Sequence, residues 1–106
     1  MITFTTTISV HQDHIEEALE NMGTATLSNL AGACPVYLAI KEAVGGPAVK
    51  VTLGVSNVIL YNVDPRINPR SWAAELPEDA ICAADTFEAG YSIHPRAFTL
   101  TFLAAD

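Results

Sequence analysis

The sequence is 106 residues long, half of it hydrophobic and 16% charged, with a formal net charge of −7. This length fits a single domain, and the composition is too apolar for a chain that stays disordered. Five basic side chains against twelve carboxylates argue against direct nucleic-acid binding, because phosphate contacts need lysine and arginine. The sequence therefore predicts one folded, acidic domain over residues 1–106.

Three features bear on the compartment. No apolar run approaches the roughly 20 residues that a membrane-spanning helix needs. Residues 1–10 carry threonine at nearly every second position and lack the basic flank of a signal peptide. Cys34 and Cys82 are the two cysteines, too few for a disulfide framework. We expect a cytoplasmic protein that needs no cofactor and does not bind membranes.

The first half of the chain predicts one strand and two helices. Residues 2–10 have the two-residue period of a half-buried strand, and from His11 the period becomes helical, with Gly23 as the expected end. Residues 24–33 predict a loop anchored by Leu27 and Leu30. Cys34-Pro35 then opens a second helix, because proline favours the first helical position. The two apolar stripes are Ile15, Ala18, Leu19 and Met22, followed by Val36, Ala39, Ile40 and Ala43.

The second half predicts three strands and one helix. Residues 49–53 and 58–63 read as an antiparallel hairpin, residues 64–71 as a loop, and residues 97–103 as a last strand. Leu76-Pro77 begins a helix that Gly90 ends. The order β-α-α-β-β-α-β predicts a two-layer α+β domain, with three helices on one face of a mostly antiparallel, four-stranded sheet. Its uncovered face carries Thr3, Thr5, Thr7, Thr99 and Thr101, and either water or another chain can cover it.

Cys34 is the one candidate catalytic residue. A thiol at a helix N-terminus can have a lowered pKa, but a nucleophilic thiol also needs a base such as histidine. Nothing in the spacing of His11, His14 or His94 brings one to it. A small residue that packs at the start of the helix is the alternative that we favour.

His11 and His14 are three residues apart, and Glu17 follows at the same spacing. Side chains with this spacing share a helix face, so the three form a candidate metal site. Such a site needs three or four ligands on a rigid frame, and the third ligand here is uncertain. We therefore favour a solvated polar face at the start of the helix and predict no metal.

The loop from Asp64 to Ser71 combines Arg66 and Arg70 with the adjacent Trp72. Arginine beside an exposed tryptophan is typical of a protein-binding surface. Alternatively, the tryptophan plugs the edge of the core, which is the more frequent place for a single tryptophan in a small domain. Both interpretations stay open, with the plug slightly favoured.

Acidic residues concentrate on the first and third predicted helices, without the lysines four residues on that would offset them. If these helices are neighbours, their carboxylates form an acidic ridge that fits a basic partner; the alternative is an ordinary solvated face. The predicted ridge consists of Glu16, Glu17, Glu20, Glu75, Glu78, Asp79, Asp85 and Glu88.

The run from Cys34 to Ile40, Cys-Pro-Val-Tyr-Leu-Ala-Ile, resembles a helix start in short proteins of bacterial viruses, prophages and plasmids whose function is unknown. The layout around it is similar, with an acidic helix before it and a Leu-Pro helix after it. Many of those proteins carry a second cysteine three residues earlier, where Ala31 stands here. The resemblance implies an origin in a mobile element.

Together these observations predict a small, non-enzymatic, acidic binding protein. Its expected partner is a basic host protein, such as a nucleic-acid-handling or defence protein that it inhibits, and it is expected to be a monomer or homodimer. The expected contacts are the helix carboxylates, with Arg66, Arg70 and Trp72. The alternatives are a thiol-dependent enzyme or redox module that uses Cys34, and a domain that binds a small molecule.

Overall fold

The computed structural model of the chain describes residues 2–23, 34–67 and 69–105. The predicted loop at residues 24–33, with Leu27 and Leu30, lies outside them. None of the described helices combines the length and the apolarity that crossing a bilayer requires. The elements in chain order are β1 (Thr3–Val10), α1 (Gln12–Gly23), α2 (Pro35–Val44), β2 (Val49–Leu53), β3 (Asn57–Asn62), β4 (Ser71–Glu75), α3 (Glu78–Glu88) and β5 (Arg96–Ala105).

The strands form one antiparallel sheet in the order β1-β5-β4-β3-β2. The α+β class, the three helices and the β2–β3 hairpin are confirmed, but the predicted count of four strands is wrong. Strand β4 was missed because Ser-Trp-Ala-Ala-Glu lacks the β-branched residues that mark a strand. Its hydrogen-bonded neighbours on both sides, β3 and β5, hold it in the sheet.

The core lies between the sheet and the helix layer. Alternate residues of β5 point inward, so Phe98, Leu100 and Phe102 are buried while Thr99 and Thr101 are exposed. Helix α2 packs against both outermost strands, β1 and β2, as well as against α1 and α3. The sheet therefore curls around α2, whose Pro35, Val36, Ala39 and Ile40 are buried.

Helix ends follow the predicted signals with one small shift. Cys34 is the N-cap of α2 and Pro35 its first residue, whereas Pro77 is the N-cap of α3 and lies one position before the predicted first turn. Gly90 has a φ of +93°. Its N–H and that of Tyr91 bond the carbonyls of Phe87 and Thr86, which closes α3 as a Schellman motif.

Two positions of the predicted apolar stripes are exposed. Leu19 is 54% exposed and Ala43 is also on the surface. Helix α1 packs mainly on α2, so only a narrow stripe of α1 is buried. Ile15 and Ala18, in the predicted stripe of α1, are buried as expected.

The face of the sheet opposite the helices is rich in threonine, as predicted. Thr5 and Thr101 are cross-strand partners and their hydroxyl oxygens are 3.1 Å apart. We call this face the open face. Toward β3 it continues through Leu103, Ala73 and Ile59, which lie opposite one another on neighbouring strands.

Candidate protein-binding surface

Charge is divided unequally between the two layers of the fold. The three helices carry nine carboxylates and a single lysine, a formal charge of −8, whereas the remainder of the chain carries three carboxylates and four basic side chains, a charge of +1. We call the surface formed by the helices the acidic layer. The net negative charge of the protein is thus carried by its helices.

The acidic residues predicted as contacts are exposed. Glu16, Glu17 and Glu20 of α1, and Glu78, Asp79 and Asp85 of α3, all have exposed side chains. Asp79 accepts a 2.9 Å hydrogen bond from Arg96, whose side chain is largely covered and also donates to the His94 carbonyl. The charge of Arg96 offsets that of Asp79. The negative potential of the helix surface therefore comes mainly from the other carboxylates.

The predicted ridge differs in its arrangement. Helix α2 packs against both α1 and α3. A groove of about 230 Å³ lies between α1 and the end of α3, and its lining includes Ile15, Leu19, Phe87 and Tyr91. The carboxylates therefore spread over a layer of three helices instead of following one line. Glu75, counted in the ridge, lies on β4.

Trp72 and the two arginines have different surroundings. Trp72 is on β4 beside the core, where its ring meets the Phe4 ring edge-on, with centroids 4.9 Å apart. Arg66 is fully in solvent and forms a two-pronged ion pair with Asp64, which lowers the pKa of that carboxyl. Arg70 is exposed. This placement favours the interpretation of Trp72 as a plug.

Cys34 lines a cleft of about 650 Å³ between α2, α3 and β2, together with Tyr37, Lys50, Asp85 and Glu88. Burial raises the pKa of its thiol, and the negative charge of Glu88 raises it further, against the opposing effect of backbone N–H groups at the helix start. A raised pKa is the reverse of what a nucleophilic thiol needs.

The described histidines lie away from that thiol. His14 contacts Glu42 near the far end of α2, eight residues and roughly 12 Å along the helix axis from Cys34. His94 adjoins Arg96, which pairs with Asp79 at the start of α3, whereas the Cys34 cleft is lined by Glu88 at the end of that helix. The thiol-enzyme alternative therefore gains no support.

His14 was assigned to a solvated face, and this was wrong: it is 8% exposed. Its Nδ1 accepts a 2.9 Å hydrogen bond from the backbone N–H of His11, the residue that precedes α1. Its Nε2 hydrogen-bonds the Glu42 carboxylate, which fixes the tautomer with a proton on Nε2. His14 thus accepts the N–H at the start of α1, as the third helical residue does in a capping box, and joins α1 to α2.

The candidate metal site does not form in the part of the chain that the structure describes. The His11 and His14 rings stack 5.5 Å apart, but both His14 nitrogens are engaged in the bonds above. Within residues 2–23, 34–67 and 69–105, no three His, Cys, Asp or Glu side chains converge into a possible metal site. Sequence spacing could not show this, because the partner of His14 comes from another helix.

Comparisons with protein-family models, with curated proteins and with solved structures found no match.

Proposed function

We propose that this chain is a small, non-enzymatic binding protein whose acidic layer contacts a basic surface of another protein. The observation that carries the proposal is the division of charge, −8 on the helices and +1 elsewhere. Mere solubility requires a net charge but no such segregation. An acidic surface of this kind attracts a basic partner over a distance and orients it toward the helices.

The partner class follows from the charge and from the sequence resemblance. Proteins that handle nucleic acids present lysine and arginine to phosphates, and a layer of carboxylates on rigid helices can occupy the same surface. The similarity of residues 34–40 to proteins of bacterial viruses and plasmids supports a host nucleic-acid-handling or defence protein in the cytoplasm as the target, inhibited by occupancy of its basic surface.

The test compares two variants with equal net charge. Glu16→Gln with Glu17→Gln removes two charges from the acidic layer, and Thr52→Lys with Thr99→Lys makes the same change on the open face. Each raises the formal charge from −7 to −5. The immobilised proteins are exposed to the heparin-retained fraction of a bacterial lysate, which concentrates nucleic-acid-handling proteins.

We expect the wild-type chain and the open-face variant to retain the same partner, and the helix variant to bind it about tenfold more weakly, since each lost contact contributes roughly 0.7 kcal/mol. Affinity falls with rising salt. The proposal is wrong if no specific partner is retained at low salt, or if both variants lose binding equally.

The Cys34 cleft supports a second candidate function, the binding of a small molecule. Its volume of about 650 Å³ lies within the range of ligand sites. Asp85 and Glu88 against Lys50 leave one net negative charge at its wall, which favours a cationic group. A thermal-shift screen of amines and nucleosides tests this, because a ligand that binds only the folded state raises the Tm. A screen without hits at millimolar concentration would eliminate this candidate.

A further inference from the structure

Among the residues that the structure describes, no strand pairs with the outer edge of β1. β1 is the first strand in the order β1-β5-β4-β3-β2, so β5 pairs with one side of it only. The Ala104 N–H donates to the Ile2 carbonyl at 3.0 Å, which places Ile2 and every second residue after it in the hydrogen-bonded positions that face β5. The N–H and C=O groups of Thr3, Thr5, Thr7 and Ser9 therefore point away from the sheet.

These outward groups have no backbone partner elsewhere in the described residues. The strand is eight residues long and contains no charge, proline or glycine. Proteins normally protect such an edge with lysine, proline or a short strand. The opposite edge does have this protection, because β2 is five residues long and carries exposed Lys50 at its second position. β1 thus has the properties of a strand that pairs with another.

We propose that β1 docks β1 of a second copy of this chain, antiparallel, so that the two sheets become one. The edge itself carries no charge that would repel a second copy, because the carboxylates of each copy are on its helices. The strand also matches itself. One of its faces is threonine and serine, the other is mostly apolar, and a facing strand must present the same two faces.

Matching faces and hydrogen-bond geometry select the register. Thr5 then lies opposite the partner's Thr7, and Thr3 opposite the partner's Ser9. Each of the four facing pairs exchanges two backbone hydrogen bonds, eight in all. A shift of one strand by two residues relative to the other, in either direction, leaves three such pairs. In this register the twofold axis passes through the position of Thr6, and Thr6 faces the partner's Thr6.

This register also accounts for a residue that the monomer leaves unexplained. Thr6 interrupts the apolar face of β1 between Phe4 and Ile8 and is half-buried. On the twofold axis, its hydroxyl meets the same hydroxyl of the partner, and threonine pairs of this kind stabilise neighbouring strands.

The interface is narrow, so the expected dissociation constant is roughly micromolar, between about 1 and 100 µM. Both acidic layers lie on the same side of the joined sheet. Dimerisation should therefore strengthen as salt screens their repulsion, whereas binding of a basic partner to the acidic layer should weaken. This opposite salt dependence distinguishes dimerisation through β1 from partner binding by the acidic layer. The dimer proposal does not depend on the proposed function.

Sedimentation velocity from 5 to 500 µM tests the proposal. We expect the wild-type chain of 11.3 kDa to reach twice that mass. Thr5→Pro removes an outward N–H without removing a bond to β5. Thr7→Lys brings one lysine from each copy to diagonal positions on the same face of the joined strands, where like charges repel. Both should weaken dimerisation at least tenfold, and Thr52→Lys at the β2 edge should not. Thr7→Lys preserves the test if the proline variant fails to fold.

Amide hydrogen exchange locates the contact. The amides of Thr3, Thr5, Thr7 and Ser9 should exchange freely in dilute protein and become protected in concentrated protein. The proposal is refuted if the wild-type chain stays monomeric at 500 µM, or if Thr52→Lys disrupts the dimer and Thr7→Lys does not. Protection of these amides in the dilute monomer would also refute it, because another part of the chain would then cover the edge.

Discussion

Replacing His14 with alanine tests the structural role that the fold assigns to this side chain. The substitution leaves the His11 N–H without its acceptor, which costs about 1 kcal/mol for a lost cap. It also removes the bond to Glu42, whose side chain is 69% exposed, so that bond contributes roughly 0.5 kcal/mol. The space left by a nearly buried ring adds about 1 kcal/mol.

His14→Ala should therefore lower the free energy of unfolding by roughly 2–3 kcal/mol, which for a chain of this size lowers the Tm by roughly 10 °C. Urea and thermal unfolding followed by circular dichroism measure both. His11→Ala is the matched control, because it removes an exposed imidazole one turn away and keeps the backbone N–H; its effect should stay within about 0.5 kcal/mol. Equal losses in the two variants, or a loss below 0.5 kcal/mol for His14→Ala, would refute this reasoning.

Three further predictions concern the thiols, a helix end and the tryptophan. Burial raises the pKa of Cys34 and covers part of its thiol, whereas Cys82 is exposed. Iodoacetamide at pH 7.5 followed by mass spectrometry should therefore label Cys82 first, and faster labelling of Cys34 would contradict this reasoning. Gly90→Ala should lower the free energy of unfolding, measured in urea, by about 1 kcal/mol, because the φ of Gly90 is positive. Gly46→Ala, at an open position without a positive φ, should be nearly neutral. Similar losses in both variants would exclude backbone strain as the cause. Trp72→Ala should cost about 2 kcal/mol, less than a fully buried aromatic, and a stability equal to the wild type would show that the ring does not plug the core.

The sequence predicted those elements whose local pattern is strong. The alternation in β1 and β5, the Cys34-Pro35 helix start and the Gly90 helix end all depend on neighbouring residues, and the structure confirms each of them. The exposure of the carboxylates on α1 and α3 was predictable for the same reason, since an amphipathic helix turns its polar side outward.

The remaining features depend on residues far apart in the chain. β4 is a strand because β3 and β5 flank it, and His14 is buried because Glu42 of another helix meets it. The concentration of −8 on one layer follows from the placement of all three helices on the same face of the sheet. The sequence by itself therefore determined the local elements and the total charge, through the periods of helix and strand. Tertiary structure alone decided which side carries that charge and which strand forms an open edge, because both are set by packing between distant segments.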